Sequence, residues 1–241
     1  MKILAVDSSS VTASVALVEN ENVVSEFFMN AGLTHSETLA PMVESVLKNS
    51  HTEAKDVDLY AVTTGPGSFT GLRIGASIVK GMAFALNKPC VAVSSLEALA
   101  YNSYSKNGLI CACMDARCNQ VYTALFEATG GEISRITEDK ADMISDLADA
   151  LKKIDKIVEF VGDGAQMCYN SIVGSGNEGK YFLAPQYNRY VQAHNIARLA
   201  TRKYKSGEIC SAEQLALNYL RIPQAQRQLN ERLSEQRGGN L

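Results

Sequence analysis

Two loops in the first third of the chain have residue types that can bind phosphate. One follows the first predicted strand and reads Asp7-Ser8-Ser9-Ser10, and the other, Gly65-Pro66-Gly67-Ser68, joins a predicted strand to a predicted helix. Main-chain N–H groups at the start of a helix attract anions, and glycines let a phosphate approach the backbone. The candidate phosphate-binding residues are Asp7, Ser8, Ser9, Ser10, Gly65, Gly67 and Ser68.

The same loops also fit a purely structural interpretation. The glycines at 65, 67 and 71 have the spacing of neither the P-loop nor the dinucleotide-binding motif. A glycine turn lets a helix pack close to a sheet, and Asp and Ser side chains bond to the backbone of ordinary turns. Both interpretations remain open at this stage.

Motifs for metal binding or covalent catalysis do not occur in the sequence. The three histidines, His35, His51 and His194, have no H-x-x-x-H or H-E-x-x-H spacing, and the six cysteines include no C-x-x-C pair. There is no G-x-S-x-G motif. We therefore expect no metal, no cofactor and packed free thiols, with His35 either solvated on the first turn of a helix or part of an interface.

The composition excludes several classes of protein. With 241 residues, 46% hydrophobic and 20% charged, the chain has the composition of a globular protein with a sizeable core. Its net charge of −3 predicts that any nucleic acid is held by another protein. The apolar run 74–86 contains Lys80 and is too short for a membrane span, and the start has no signal-peptide core. These features favour a cytosolic protein with no membrane contact.

Hydrophobic periodicity predicts an α/β protein in two lobes. The first half has the order βββαβαβα. The second half begins with the same succession of three strands, a helix and a strand. The predicted strands are 2–7, 13–19, 23–28, 58–64, 90–93, 109–115, 121–128, 132–136 and 157–161, and the predicted helices are 34–47, 70–86, a short one capped by Ser94 or Ser95, 141–152, 165–169, 191–204 and 212–217.

The polar stretch 101–108 is turn-rich and predicts the boundary between the lobes. We therefore predict an N-terminal lobe at 1–104 and a C-terminal lobe at 105–223. A helix near 191–205 can pack back on the N-terminal lobe. The glutamine-rich segment 224–241 is expected to be a flexible tail.

Two helices of the first lobe are unusually apolar. The helix at 34–47, with capping-box spacing between Thr34 and Glu37, has its apolar residues on one face. The glycine-rich helix at 70–86 is apolar on nearly every side. Either the first helix covers the second completely, or the two together form an exposed apolar patch that requires a partner.

Several segments resemble the bacterial TsaB (YeaZ) family. They are ILAVDSSSVTASVAL, GLTHSETLAPMVESVL, TTGPGSFTGLRIGASIVKGMAFALNKPCVAVSSLEALA, MDARCNQVY and LNYLR. The resemblance is almost continuous over residues 1–128 and touches the second half only at VGDGA and LNYLR. It implies an actin-like (ASKHA, ribonuclease H-like) fold and a role in making threonylcarbamoyladenosine, next to the anticodon, in tRNAs that read ANN codons.

The resemblance also implies that the chain is a non-catalytic scaffold and activator. The catalytic paralogue TsaD binds its metal through an H-x-x-x-H pair, and Ser95 and Leu99 stand at those two positions here. Leucine cannot ligate a metal. The implied partners are TsaD in a heterodimer, TsaE through the TsaB–TsaD complex, a second copy when the protein is alone, and tRNA indirectly.

TsaB proteins are expected to pair through the two helices of the first lobe, in a four-helix bundle. The residues carried over to this interface are His35, Leu39, Met42, Val43, Val46, Phe69, Leu72, Arg73, Ile74 and Ala76. Buried aromatic and arginine side chains dominate the energy of such interfaces.

Two other functions remain open from the residues. A small actin-like-fold ATPase or kinase would bind nucleotide between the lobes through residues 7–10 and Gly162-Asp163-Gly164, although the sequence has no identifiable general base. A peptidase would need a metal pair or a nucleophile with its base, and neither is found.

Overall fold

In the computed structural model, which describes residues 1–103, 107–173 and 179–221, the strands form two mixed sheets. The first sheet contains β1 (Lys2–Asp7), β2 (Ala13–Glu19), β3 (Asn22–Met29), β4 (Leu59–Gly65) and β5 (Cys90–Ser94). Their spatial order is β3-β2-β1-β4-β5, with β1, β2 and β3 antiparallel and β1, β4 and β5 parallel. The helices of this half are α1 (His35–Asn49), α2 (Phe69–Ala85) and α3 (Ser95–Ala100), so the predicted βββαβαβα order is confirmed.

The second sheet has the order β11-β10-β6-β7-β8, and a further strand, β9, also pairs with β7. Its strands are β6 (Asn107–Asp115), β7 (Gln120–Thr129), β8 (Glu132–Arg135), β9 (Lys140–Met143), β10 (Val158–Val161) and β11 (Tyr181–Leu183). The helices of this half are α4 (Ile144–Lys152), α5 (Ala165–Val173) and α6 (Ala193–Lys205). Short 3-10 turns occur at Ala54–Asp56 and Gln186–Asn188.

Helices cover both faces of the first sheet. Leu39 and Val46 of α1 and Val79 of α2 join the apolar cluster on one face, and Leu96 of α3 and Ile196 of α6 join the cluster on the other. Helix α6 packs on β1, β2 and β5 although it comes late in the sequence. The cluster beneath α6 continues into the second sheet, so one core joins the two sheets.

Three local predictions were wrong. Residues 141–143 belong to β9 rather than to the first turn of the predicted helix 141–152, because they pair in register with β7. Residues 212–217 form a turn and irregular chain rather than a helix. Thr34 is the N-cap of α1, but its side chain makes no capping bond; instead its carbonyl accepts from the N–H of Glu37 at 3.1 Å.

The segment that follows α6, residues 206–221, is here called the C-terminal segment. It returns to the first sheet, where Cys210 exchanges both backbone hydrogen bonds with Cys90 of β5. Further along, the N–H of Asn218 donates to the carbonyl of Thr64 at 2.8 Å, just before the glycine turn. The C-terminal segment therefore lies against the strand end from which α2 begins.

The six cysteines are free thiols in this structure. Five are buried or partly buried, as the packing interpretation predicts, but Cys118 is exposed. The predicted boundary at residues 104 and 105 and the predicted tail at 224–241 lie outside the described residues, and the exact bounds of the lobes stay a prediction. Within the described ranges, no helix combines the length and the hydropathy needed to cross a membrane.

Candidate functional site

The carboxylate of Asp7 is buried at the end of β1. It accepts hydrogen bonds from the hydroxyl of Thr63 at 2.6 Å and from the N–H of Ser9 at 3.2 Å. Burial raises the pKa of Asp7, and the hydrogen bonds from Thr63 and Ser9 oppose that rise. The side chain holds the first loop against β4 from inside the protein.

The two predicted phosphate loops pack directly on each other. The N–H of Ser68 donates to the carbonyl of Ser9 at 2.7 Å, and the hydroxyl of Ser8 donates to the carbonyl of Gly71 at 2.8 Å. A Cβ on Gly67 would lie 2.3 Å from the Ser9 carbonyl oxygen, and one on Gly71 would lie 2.0 Å from that of Ser8. These glycines therefore let α2 pack against the first loop, which is the structural interpretation of the motif.

A cleft of about 500 Å³ opens above these loops, between the two sheets. Four of the seven predicted phosphate-binding residues line it, namely Ser9, Ser10, Gly67 and Ser68. The other three, Asp7, Ser8 and Gly65, are buried. The opposite wall includes Asp115 and Asp163 from the second sheet, and the C-terminal segment contributes residues 218–221.

Asp163 is the most strongly perturbed acid of this cleft. It follows β10, and its Oδ1 accepts a hydrogen bond from the N–H of Asp115 at 3.1 Å. Burial, with a smaller contribution from the nearby charge of Asp115, raises the pKa of Asp163 to about 6 against the opposing effect of backbone hydrogen bonds. An acid of this kind can hold a proton near neutral pH, but no base–nucleophile pair accompanies it among the described cleft residues.

His35 is half-buried and bonded within the chain. Its Nε2 donates to the carbonyl of Ser10 at 2.8 Å, so the first residue of α1 is tied to the first loop. Gly71 of α2 also lies against its ring, since a Cβ there would come within 3.2 Å of the His35 Cδ2. The prediction of a solvated first-turn histidine was therefore wrong.

Six of the ten predicted interface residues are unavailable to a partner. Their exposed fraction does not exceed 5%, because they pack inward against the first sheet. They are Leu39, Met42, Val43, Val46, Leu72 and Ala76. The prediction that these side chains contact another protein is corrected, because they form the chain's own core. His35, Phe69, Arg73 and Ile74 remain partly or fully accessible.

An open groove of about 480 Å³ lies between α1 and α2. We call it the α1–α2 groove; it is lined by Ser36, Ala40, Phe69, Thr70, Arg73, Ile74, Ser77 and Ile78. Five of these residues were not predicted from the sequence: Ser36, Ala40, Thr70, Ser77 and Ile78. For α2 a signal was present, because residues 70, 74, 77, 78, 81 and 85 have the spacing of one helix face, which here points outward.

This face of α2 is uncharged. It carries Thr70, Ile74, Ser77, Ile78, Gly81 and Ala85, and Phe84 beside it is 67% exposed. The two cations of α2 lie beside this face: the ammonium of Lys80 donates to the carbonyl of Leu215, and Arg73, which lines the groove, stacks on Phe69. A helix face without charge on the surface of a soluble protein is typical of an interaction site.

Phe69 stands between the groove and the cleft, since it lines both. Its ring stacks on that of Tyr219 with centroids 4.8 Å apart, and the Arg73 guanidinium lies 3.8 Å from the Phe69 centroid. The Nε of Arg73 donates to the Tyr219 hydroxyl at 3.0 Å. The C-terminal segment therefore packs on two residues, Phe69 and Arg73, that line the α1–α2 groove.

Ser95 and Leu99 lie where the sequence resemblance aligns the metal-binding histidines of the paralogue. Both side chains are buried, and Leu99 belongs to the apolar cluster beneath α6. In the described part of the chain, no three His, Cys, Asp or Glu side chains are grouped closely enough to hold a metal ion.

Comparison with known proteins gives consistent results. Residues 29–231 match the family model described as TsaD, tRNA N6-adenosine threonylcarbamoyltransferase. The chain is 34% identical to the tRNA threonylcarbamoyladenosine biosynthesis protein TsaB of Bacillus subtilis, over 94% of this chain and 96% of that protein. It is 38% identical to TsaB of Escherichia coli, over 53% and 55% of the two chains. The similarity therefore extends well beyond the two short matches predicted for the second half.

The solved structure of YeaZ from Pseudomonas aeruginosa superposes with a TM-score of 0.75 at 26% identity, covering 91% of this chain and 99% of that chain. The fold is thus the two-lobed actin-like (ASKHA, ribonuclease H-like) α/β fold, as the resemblance predicted. The second lobe follows the predicted βββαβα order with two additional strands, β9 before α4 and β11 after α5.

Proposed function

The chain belongs to the TsaB family of tRNA threonylcarbamoyladenosine biosynthesis proteins, and we propose that it acts there as a non-catalytic subunit that binds and activates a TsaD-type transferase. The transferase performs the chemistry, in which threonylcarbamoyl adenylate donates its acyl group to the adenosine next to the anticodon. This chain supplies a docking surface that holds the transferase in its active arrangement.

The observation that carries this proposal is the uncharged outer face of α2 beside α1. The buried residues Leu39, Val46 and Leu72 fix both helices on the sheet, so the groove between them is rigid before a partner arrives. A preformed surface loses little conformational entropy on binding. Two helices of the partner packed on this face would complete a four-helix bundle.

The position of Leu99 supports a non-catalytic role. Its side chain is 1% exposed in an apolar cluster, where the resemblance aligns a metal-binding histidine of the transferase. Ser95, at the other histidine position, is completely buried. These two positions therefore do not reproduce the histidine pair that binds the metal of the paralogue.

The surface of α1 and α2 can pair with the matching helices of the transferase or, when the protein is alone, with those of a second copy. TsaE is expected to bind only the assembled TsaB–TsaD complex. Phe69 touches both the α1–α2 groove and the interlobe cleft, which gives a physical route by which partner docking affects the cleft.

One observation favours the alternative of a small actin-like-fold ATPase or kinase. The structure brings Ser10 and Gly67 together with Asp163 around a single cleft of about 500 Å³. The buried Asp7 and the direct Ser68–Ser9 hydrogen bond argue against it, because protein atoms fill the space where a phosphate would meet the first loop. Calorimetric titration of the protein with Mg·ATP separates the two functions, and tight binding abolished by Asp163→Asn would favour the ATPase.

The activity test is a reconstituted reaction. The cognate transferase and TsaE are incubated with tRNA, ATP and threonylcarbamoyl adenylate labelled in its threonine part, with and without this chain, and incorporation of the label into tRNA is measured. We expect no incorporation with this chain alone and a large stimulation when it is added to the transferase. Equal incorporation with and without the chain would overturn the proposal.

A further inference from the structure

Helix α6 concentrates positive charge in a chain whose net charge is −3. Its 13 residues include Arg198, Arg202, Lys203 and Lys205, and none is Asp or Glu. The spacing of Arg198, Arg202 and Lys205 puts them on one outward face of the helix, and all three are exposed. The opposite face, with Ile196 and Leu199, is buried on the first sheet.

A groove of about 390 Å³ lies between this face of α6 and the hairpin that joins β2 to β3. We call it the basic groove. Helix α6 contributes His194, Arg198, Thr201, Arg202 and Lys205 to its lining, and the hairpin contributes Val18, Glu21 and Val23.

The two arginines are held in position by one aromatic ring. The Arg198 guanidinium lies 4.8 Å from the centroid of Tyr101, and Arg202 donates a hydrogen bond to the Tyr101 hydroxyl. A guanidinium that is already oriented loses less side-chain entropy when it binds an anion, and its planar set of donors matches a phosphate group.

The other cations near the groove have carboxylate partners, whereas these two arginines do not. Lys205 pairs with Glu21 at 3.3 Å, Lys203 pairs with Glu208 at 3.3 Å, and His194 contacts Glu26 at 2.8 Å. Among the residues that the structure describes, neither Arg198 nor Arg202 forms an ion pair. Their charge is therefore available to an external anion.

We propose that the basic groove binds the phosphate backbone of the tRNA substrate, with Arg198 and Arg202 as the phosphate contacts. The choice of tRNA rests on the proposed function. Helix α6 covers the face of the first sheet opposite to that covered by α1 and α2, so tRNA in the basic groove and a transferase on the α1–α2 groove do not compete. We expected only indirect contact with tRNA because the net charge of the chain is −3. That value sums over the whole chain and does not show the local positive charge of the basic groove.

The test compares the double variant Arg198→Gln/Arg202→Gln with a matched control, Lys152→Gln/Lys153→Gln, which removes two exposed charges at the end of α4. Fluorescence anisotropy with labelled tRNA is measured over a series of salt concentrations, using both the complex with the transferase and the full chain alone. Light scattering on the same samples reports whether the complex has formed.

We expect the arginine variant to form the complex normally and to bind tRNA about tenfold more weakly, with a salt-dependence slope reduced by about 2, while the control changes neither. If the arginine variant forms the complex and binds tRNA with unchanged affinity, the proposal that the basic groove binds tRNA is overturned and the proposed function remains intact. If the arginine variant no longer forms the complex, the basic groove contacts the transferase rather than tRNA, and this proposal is also overturned. Failure of the wild type to form a complex would contradict the proposed function, and the measurements on the full chain alone would still decide the groove.

Discussion

The aromatic ring of Phe69, at the start of α2, stacks on that of Tyr219 in the C-terminal segment, with centroids 4.8 Å apart. Arg73 closes this contact by lying over the Phe69 ring and bonding to the Tyr219 hydroxyl. The contact joins the end of the described chain to the helix that we propose as the docking element. The position of α2 therefore depends on residues far from it in the sequence.

Replacing Tyr219 with alanine tests this contact. We expect Tyr219→Ala to lower the free energy of unfolding by about 1–2 kcal/mol, since the ring stacking and the bond to Arg73 are both lost. Urea denaturation measures the change. Tyr187, which is 71% exposed, provides the control, and Tyr187→Ala should change the stability by no more than about 0.5 kcal/mol. Equal effects of the two substitutions would mean that the C-terminal segment does not hold α2.

The glycines of α2 are expected to differ sharply in their response to alanine. Gly71→Ala should lower the free energy of unfolding by about 3 kcal/mol or more, because its Cβ would meet the Ser8 carbonyl at 2.0 Å. Gly81→Ala should raise it by about 0.5–1 kcal/mol, because a Cβ there meets nothing within 4 Å and alanine favours a helix. Thermal unfolding of both variants measures these changes in the free energy of unfolding. A stable Gly71→Ala protein would contradict the close packing of the two loops.

The order of elements in the first half could be predicted because its strands contain short apolar runs, as in β1, and α1 has its apolar residues on one face. The second half was harder. Lys140–Met143 carries no strong strand signal and becomes β9 only because β7 offers it a pairing edge. In the same way, residues 212–217 have helix-favouring composition, but Lys80 bonds to the carbonyls of Glu213 and Leu215, and the flanking Cys210 and Asn218 bond to the first sheet. These contacts hold the segment in another conformation.

The candidate site was only half predictable for a geometric reason. The sequence indicated two apolar helices but not which apolar side faces the sheet, so inward residues such as Leu39 and Val46 were chosen with outward ones such as Ile74. The glycine turn was identified, yet only the coordinates place Gly67 against Ser9. The basic residues of α6 can be read from the sequence, but the net charge of the whole chain does not reveal where they are concentrated.

Leu39 distinguishes a core residue from an interface residue. We expect Leu39→Ala to lower the free energy of unfolding of the isolated protein by about 2–5 kcal/mol, as expected when a fully buried leucine is truncated. Its exposed neighbour gives the control, and Ala40→Ser should cost about 0.5 kcal/mol from helix propensity alone. Chemical denaturation provides both values. A Leu39→Ala protein as stable as the wild type would restore the original assignment of this residue to the interface.

Asp163 makes the stability depend on pH. Its pKa of about 6 in the folded protein exceeds the ordinary value of 3.8, so the folded state binds the proton more tightly than the unfolded state does. Its contribution is therefore fully present below about pH 4 and is lost as the pH rises through about 6. Asp163→Asn should remove this part of the pH dependence. Denaturation of both proteins between pH 4 and pH 7 measures it, and parallel curves would contradict the raised pKa.

The central claim is that the α1–α2 groove receives the transferase. Size-exclusion chromatography with light scattering is the most direct measurement, applied to the cognate transferase mixed with the wild type, with Ile78→Glu and with the control Ile157→Glu. Ile78 lines the groove, whereas Ile157 is an exposed isoleucine beside the second sheet. Circular dichroism establishes that all three proteins are folded.

The account predicts a stable complex for the wild type and for Ile157→Glu, and separate components for Ile78→Glu, because a carboxylate buried at the interface has no partner there. A complex of unchanged mass and affinity with Ile78→Glu would contradict the assignment of the α1–α2 groove as the docking surface.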